Sequence, residues 1–158
     1  ADRIICITGD GSLMFNLQEL QTIIENKVPI KIIIINNDGY HSIRQSQANY
    51  YNGKEIGCGP SSGVSFPNFK KVFDSFGIKS YRINSLKDLV KNIDDGLNCP
   101  GPTLIDVLVD KNQLFEPRLA SKKLKNGQIV SPPLEDMAPF LNREEFLSNM
   151  LIKPWEDE

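Results

Sequence analysis

Ile4-Ile5-Cys6-Ile7-Thr8-Gly9-Asp10-Gly11-Ser12 is an apolar run that ends in a polar, glycine-rich motif, and Ile32-Ile33-Ile34-Ile35-Asn36-Asn37-Asp38-Gly39 repeats this layout. Unbroken runs of branched apolar residues are typical of strands that are buried on both faces of a parallel sheet. We therefore predict a buried strand directly before each motif.

The segment between the two runs has the pattern of a helix. Leu17, Leu20 and Ile24 recur at helical spacing, and Asn16 followed by Glu19 resembles a capping box at a helix start. A strand, a helix and a second strand form a right-handed crossover in which both strands point the same way. Both motifs are therefore expected at the same carboxyl edge of the sheet, where open α/β folds bind their ligands.

The residue types of the two motifs suit an anion and a hard metal ion. Gly9 and Gly11 have no Cβ to keep a ligand from the backbone, and the peptide N–H groups of Gly11, Ser12 and Leu13 are placed to face an anion where the chain turns into the helix.

Three oxygen ligands complete this prediction. They are the carboxylate of Asp10, the amide oxygen of Asn37 and the backbone carbonyl of Gly39. Such ligands suit Mg²⁺ or Ca²⁺ and are poor ligands for zinc or copper. A diphosphate would supply the remaining oxygens of the coordination sphere.

The spacing of these motifs carries a family resemblance. Gly9-Asp10-Gly11, a gap of 24 residues (12 to 35) and Asn36-Asn37 together resemble the signature of thiamine diphosphate-dependent enzymes. Further sequence segments, including Gln18-Glu19-Leu20 and Pro67-Asn68-Phe69, are similar to the C-terminal pyrophosphate-binding domain of the acetolactate synthase and pyruvate decarboxylase branch. The likeness covers roughly residues 3 to 110.

The resemblance implies the cofactors and their ligands. Thiamine diphosphate and Mg²⁺ are the expected cofactors, and the implied metal ligands are Asp10, the Asn37 side chain and the Gly39 carbonyl. Gly11 and Ser12 would contact the diphosphate. The whole expected cofactor-binding set is Gly9, Asp10, Gly11, Ser12, Leu13, Asn37, Gly39 and Tyr40.

The resemblance also implies a reaction and a partner. An acetolactate synthase-like enzyme decarboxylates a 2-oxo acid such as pyruvate and transfers the resulting two-carbon carbanion to an acceptor. A second domain of the same enzyme, from another subunit, holds the aminopyrimidine ring and supplies the activating glutamate, so the full-length protein is expected to be a homo-oligomer. No residue of this chain can be assigned that role. Because the chain starts at Ala1, two residues before a strand, we expect an inactive fragment that anchors the cofactor.

A short helix is predicted after Gly39, over residues 40–51. In the family this segment lines the substrate end of the cofactor, so the pocket candidates are Tyr40, His41, Ser42 and Ile43. His41 suits proton transfer; the alternative is an exposed polar residue without a role. Ile43 occupies a position where some decarboxylases carry glutamate, which disfavours simple pyruvate decarboxylation. Residues 52–67 are predicted to be a loop, either a lid or an ordinary connection.

Helices and strands alternate along the rest of residues 1–110. We predict a helix with an apolar stripe of Phe69, Val72, Phe73 and Phe76 that stops at Gly77, and a strand over 80–83. A helix capped by Ser85 follows, and its predicted inner face is Leu86, Leu89, Val90, Ile93 and Leu97. A strand over 102–109 comes last, with an interruption at Asp106 as an open alternative. The predicted fold class is α/β, a doubly wound parallel sheet with helices on both faces.

An irregular C-terminal tail over 111–158 is predicted to pack on the domain or on a partner. It contains five prolines, a hairpin signal at Asn126-Gly127, a basic cluster of Lys122, Lys123 and Lys125, and a capping box of Asn142 and Glu145. The predicted last helix carries Phe146, Met150 and Leu151.

Composition restricts the function further. The chain has 158 residues and a net charge of −2. This charge does not favour binding to nucleic acid or to an anionic membrane. No apolar stretch has the length of a membrane span. Cys6, Cys58 and Cys99 are odd in number and scattered, which favours a reducing, cytoplasmic location.

Two alternatives from other function classes stay open at this point. One is a module that binds phosphate or Mg²⁺ without catalysis. The other is an all-β interaction domain, in which both motifs are tight hairpin turns of an antiparallel sheet. The predicted α/β fold requires substantial helix content, whereas the all-β alternative allows almost none.

Overall fold

A computed structural model describes residues 3–124 and 126–152 of the chain. The chain separates into two compact units, one up to Gln113 and one from Leu114. Lys125 of the basic cluster and Pro154 of the tail lie outside the described residues. Within the described ranges, no helix is long and apolar enough to cross a membrane.

The first unit alternates strands with helices. Its elements are β1 (Ile4–Gly9), α1 (Asp10–Met14), α2 (Glu19–Glu25), β2 (Ile30–Asn36), α3 (His41–Tyr50), a 3-10 turn (Pro60–Ser62), α4 (Phe69–Ser75), β3 (Lys79–Ile83), a second 3-10 turn (Leu86–Asp88), α5 (Leu89–Asn98) and β4 (Thr103–Leu108). The second unit contains β5 (Lys122–Lys123), β6 (Ile129–Val130) and α6 (Arg143–Asn149).

The four strands of the first unit form one parallel sheet in the order β1-β2-β4-β3. One face packs against α1, α2 and α4 in a core of Leu13, Leu20, Ile32, Ile34, Phe69, Phe73, Ile78 and Leu104. On the other face, α5 packs on β3 and β4, and Gly96 lies so close that a Cβ there would be 2.6 Å from Ile105 Cδ1. The doubly wound α/β prediction is confirmed, and the all-β alternative is wrong. The predicted burial of β1 is also wrong: Ile4, Ile5 and Ile7 are 42%, 49% and 67% exposed, because β1 is an edge strand of the sheet.

The predicted helix between β1 and β2 is two helices. Its first turn starts at Asp10, directly after the strand, so Asn16 lies in the connection between α1 and α2. The capping box is therefore wrong: the backbone carbonyl of Asn16 accepts the Glu19 N–H at 3.0 Å, and α2 starts after Gln18 without a side-chain cap.

Helix α4 has the predicted stripe. Phe69 and Phe73 are fully buried, the Asn68 side chain caps the helix by accepting the Lys71 N–H at 3.1 Å, and Gly77 follows the helix with φ +74°. A polar cap at the first turn and a left-handed glycine after the last are the expected helix boundaries.

The predicted inner face of α5 is partly wrong. Leu86 is 86% exposed and Val90 is 70% exposed, whereas Leu89, Ile93 and Leu97 are half-buried. Leu86 lies in the 3-10 turn that precedes α5, and the change from three to 3.6 residues per turn moves it off the stripe. Strand β4, by contrast, runs without interruption through Asp106.

The second unit contains the predicted hairpin. β5 and β6 pair antiparallel around Asn126-Gly127, and the Gln128 N–H donates to Asn126 Oδ1 at 3.0 Å. Asn142 caps α6, but its side chain accepts from the Glu144 N–H at 2.9 Å. The helix stops at Asn149, so the predicted helical positions Met150 and Leu151 lie beyond its end.

Candidate functional site

The structure brings the two motifs together at one edge of the sheet. β1 and β2 run parallel with Gly9 beside Ile35, so both strands deliver their motifs at their carboxyl ends. The Gly39 N–H donates to Asp10 Oδ2 at 3.1 Å. The predicted proximity of the two motifs is therefore confirmed.

Asp10 is the buried link between the motifs. Its side chain accepts the Gly11 N–H at Oδ1 (2.7 Å) and the Gly39 N–H at Oδ2 (3.1 Å), and the residue is almost fully buried. An ionised carboxylate has about four lone-pair positions. Each oxygen therefore keeps capacity for a metal ion while the two backbone donors hold the carboxylate in place.

Asn37 carries an unsatisfied buried acceptor. Among the described residues, its Oδ1 has no hydrogen-bond partner although the atom is buried. Buried polar atoms are normally paired, and an unpaired one is a position for a water molecule or an ion. Amide and carboxylate oxygens suit a hard divalent cation, and Asp10 is bonded to Gly39 in the turn that contains Asn37, so the residues present fit a magnesium ion.

The turn formed by residues 37–39 has an unusual backbone. Asp38 has φ +57° and Gly39 has φ +149°. A Cβ at Gly39 would lie 2.2 Å from the carbonyl oxygen of Cys58. Only glycine fits this position, because both the backbone angle and the space exclude a side chain.

Gly11 is required for a reason that the sequence did not suggest. A Cβ there would lie 2.4 Å from the ring of Tyr40, and the Gly11 N–H is used by Asp10. Packing against this aromatic ring is a second reason for a glycine here, and the expected contact between Gly11 and a ligand stays a prediction. Ser12 is exposed, whereas the side chain of Leu13 lies in the core.

The four pocket candidates divide between two environments. The Tyr40 ring packs edge-on against Phe66 at 5.8 Å, and His41 is only 6% exposed. The alternative of an exposed His41 is therefore wrong, because the first turn of α3 points it inward. Ser42 and Ile43 face outward. The 52–67 loop is attached here, since the Tyr40 N–H donates to the Cys58 carbonyl at 2.8 Å.

An open cleft borders the second motif at the same edge of the sheet. Its volume is about 430 Å³, and its lining is Asn36, Asp38, Phe66, Pro67, Asn68, Arg82, Leu108 and Val109. Among the described residues, no group of three or more His, Cys, Asp or Glu side chains is placed to hold a metal ion. A metal ion at Asp10 would therefore need amide, carbonyl and ligand oxygens to complete its coordination.

Asp106 supports the second motif from β4, and sequence reasoning missed this role. Its fully buried carboxylate accepts from Asn36 Nδ2 at 2.9 Å and lies 3.8 Å from Arg82 Nε. Asn36 Oδ1 in turn accepts the Asp38 N–H at 3.3 Å. A charged residue inside an otherwise apolar strand was the available signal.

Asp106 is expected to give stability a distinctive pH dependence. Burial raises the pKa of its carboxyl above 3.8, against the opposing effects of Asn36 and Arg82. The folded chain therefore holds this proton more tightly than the unfolded chain, and the contribution to stability falls as pH rises from 3.8 through the raised pKa. The free energy of unfolding of Asp106→Asn, relative to the parent, should increase across this window.

Urea unfolding in EDTA between about pH 4 and pH 7 measures this difference. Asp74 and Asp136, whose pKa values are lowered by Lys70 and Arg143 respectively, contribute equally to both proteins and cancel. A difference that does not change with pH would refute the assignment to Asp106.

Comparison with known proteins agrees with this geometry. The family model described as "Thiamine pyrophosphate enzyme, C-terminal TPP binding domain" matches residues 1–107. The acetolactate synthase large subunit of Porphyra purpurea is 37% identical over 129 residues, which are 82% of this chain and 21% of that protein. That of Cyanidium caldarium is 39% identical over 129 residues, 82% of this chain and 22% of that protein. The chain thus spans about a fifth of these relatives.

A solved structure gives the same fold. The thiamine diphosphate-dependent 4-hydroxybenzoylformate decarboxylase of Rhodococcus jostii RHA1 superposes with a TM-score of 0.60 at 24% sequence identity, over 71% of this chain and 20% of that one. At this identity the likeness concerns the fold alone. The family model, the relatives and the two adjoining motifs agree, and the chain belongs to the thiamine pyrophosphate enzymes as a C-terminal TPP-binding domain of the acetolactate synthase type.

Proposed function

We propose that this chain anchors the diphosphate of thiamine diphosphate through Mg²⁺, with Asp10, the Asn37 side chain and the Gly39 carbonyl as the protein ligands. The observation that carries the proposal is the buried Oδ1 of Asn37, which has no partner in the described part of the chain. It lies in the turn that Asp10 holds through the Gly39 N–H. Leaving such an acceptor unsatisfied costs about 1–3 kcal/mol. A bound cation removes that cost.

The diphosphate is proposed to lie at the start of α1. Because Asp10 uses the Gly11 N–H, contact with the anion falls on the N–H and the exposed hydroxyl of Ser12. Leu13 follows it in α1, where its N–H is the first to bond within the helix that Gly9 caps. The positive end of the helix favours a negative group there. Gly9, Gly11 and Tyr40 complete the proposed site by shaping its walls.

The full-length protein is proposed to be an acetolactate synthase-like enzyme that decarboxylates a 2-oxo acid such as pyruvate and transfers the product to an acceptor. The cofactor supplies the carbanion chemistry when bound, and the protein supplies binding and orientation. The relatives named as acetolactate synthase large subunits support this reaction. Tyr40, His41, Ser42 and Ile43 are the proposed residues at the reacting end, with His41 as a candidate for proton transfer.

Further parts of the proposal concern the rest of the enzyme. A pyrimidine-binding domain, from another subunit of a homo-oligomer, is proposed to hold the other end of the cofactor, so the 158-residue chain alone is expected to be inactive. Cys6, Cys58 and Cys99 are all free thiols, which fits a reducing location such as the cytoplasm.

Calorimetric titration of the chain with inorganic diphosphate and with thiamine diphosphate, each with Mg²⁺ and with EDTA, tests the anchoring function. Both ligands are expected to bind only with Mg²⁺, and with affinities within about tenfold of each other, because the chain contacts mainly the diphosphate end. Thiamine without phosphate is the control and should not bind. Binding that persists in EDTA would contradict the metal site.

The alternative is a phosphate- and Mg²⁺-binding module without catalysis. An assay of carbon dioxide release from pyruvate by the full-length protein separates the two functions. Release that requires thiamine diphosphate supports the enzyme. Metal-dependent binding without turnover of any 2-oxo acid would favour the module.

A further inference from the structure

Arg44 lies on the first part of α3, and its guanidinium contacts the backbone of the 37–39 turn. Nη2 donates to the Asp38 carbonyl at 3.0 Å, and Nη1 donates to the Asn37 carbonyl at 3.4 Å. The side chain is only 11% exposed. One planar group therefore holds the carbonyls of two successive residues in the turn.

The same guanidinium connects the turn to two other segments. Nη1 also donates to the Lys111 carbonyl at 3.1 Å, just after β4. Nε lies 3.7 Å from Glu55 Oε1 in the 52–67 loop. The donors of arginine are arranged in a rigid fork. Arg44 therefore ties the 37–39 turn to the segment after β4 and to the 52–67 loop.

The space around Arg44 is matched to this arrangement. A Cβ at Gly39 would lie 2.5 Å from Arg44 Nη2, and a Cβ at Gly59 would lie 2.8 Å from it. Two glycines thus admit the guanidinium between the turn and the loop. Backbone angles that are rare for other residues, such as φ +57° at Asp38, persist only where neighbouring contacts enforce them.

We infer that Arg44 is a positioning residue for the metal ion. Its guanidinium holds the backbone carbonyls of Asn37 and Asp38 on one side of the turn. Asn37 Oδ1 and the Gly39 carbonyl are then left to bind the cation. This inference rests on the proposed function of the 37–39 turn. The positive charge of Arg44 is opposed to a cation, and Glu55 offsets it. The role of Arg44 is therefore geometric, and its charge alone would weaken metal binding.

Two substitutions separate geometry from charge. Arg44→Lys keeps the charge but cannot hold two carbonyls with one planar fork, and Arg44→Met keeps much of the stem without the charge. We expect both to weaken Mn²⁺ binding about 10- to 100-fold in the presence of inorganic diphosphate, the range found for groups that support metal ligands. Electron paramagnetic resonance of free Mn²⁺ in the full chain measures the affinity.

A second measurement excludes a general loss of structure. Amide hydrogen exchange in EDTA should accelerate at Gly39, whose N–H is bonded to Asp10, while protection in β4 is retained. Arg143→Met is the matched control, because Arg143 holds a buried carboxylate of Asp136 through two bonds of 2.7 and 2.8 Å in the second unit. It should leave Mn²⁺ affinity unchanged.

The outcomes distinguish this inference from the proposed function. If the parent chain binds no Mn²⁺ with diphosphate, the proposed function and the inference both fail. If the parent binds and both Arg44 variants bind equally well, only the positioning role fails. Tighter binding by Arg44→Met together with unchanged binding by Arg44→Lys would show that Arg44 acts through its charge, which also overturns the inference.

Discussion

Asp10→Asn is expected to weaken Mg²⁺-dependent binding of thiamine diphosphate at least about 100-fold, since loss of a charged ligand should exceed the 10- to 100-fold effect of groups that only support ligands. The substitution removes the one carboxylate that the 37–39 turn contacts through Gly39. It also replaces one carboxylate oxygen with an NH₂ group, which then faces a backbone N–H donor. A neutral side chain is a poorer ligand for a hard divalent cation.

The fold should survive this change. Asparagine keeps one oxygen to accept from Gly11 or Gly39 and leaves the other backbone N–H without its acceptor, so the expected loss of stability is about 1–3 kcal/mol. Calorimetric titration with Mg²⁺ gives the affinity, and urea unfolding in EDTA gives the stability. Asp94→Asn, at an exposed position of α5, is the matched control. If Asp10→Asn bound as tightly as Asp94→Asn, the metal assignment would be wrong.

Gly39→Ala is expected to destabilise the first unit by on the order of 3 kcal/mol, because it combines steric overlap with backbone strain. The new Cβ would lie 2.2 Å from the Cys58 carbonyl oxygen and 2.5 Å from Arg44 Nη2, at φ +149°. The Cys58 carbonyl belongs to the backbone and already accepts the Tyr40 N–H. It cannot move aside without disturbing the start of α3.

Gly63→Ala is the control for backbone strain without steric overlap. Gly63 has φ +86° but nothing within 4 Å of a Cβ, so its expected cost is about 1–2 kcal/mol. Urea unfolding in EDTA compares the two variants without a contribution from bound metal. Metal-dependent cofactor binding should also be lost in Gly39→Ala and retained in Gly63→Ala. Equal effects of the two substitutions on stability would show that the close contacts at Gly39 are relieved by local movement.

The strands and the position of the motifs were predictable from local pattern. The runs before Gly9 and Asn36 are unbroken, branched and apolar, which favours strands. The predicted burial on both faces fails for β1, because β1 is an edge strand with Ile4, Ile5 and Ile7 exposed. Parallel strands joined by a right-handed crossover then place both motifs at one edge. The contact between Asp10 and Gly39 follows from this topology, and the family resemblance points to the same pair.

The sequence pattern failed where the path of the backbone departed from an ideal helix. Asn16 with Glu19 has the residues of a capping box, yet α1 starts six residues earlier, at Asp10. Leu86 fits an apolar stripe, yet it lies in a 3-10 turn that shifts the phase before α5. Val90 lies within α5 and is exposed, because it is beside the stripe of Leu89, Ile93 and Leu97. The alternative of an exposed His41 was wrong, because a single polar residue at the start of a helix has no periodicity that indicates its direction.

Sequence alone established the α/β class, the strand positions, the two motifs and the oxygen ligands that they offer, because these depend on residue type and on spacing along the chain. The tertiary structure decided how the motifs are held. Asn36 contacts Asp106 across 70 positions of the chain, and Arg44 contacts the Lys111 carbonyl across 67. Such contacts form only when strand order and loop path bring distant segments together, and no local pattern encodes that encounter.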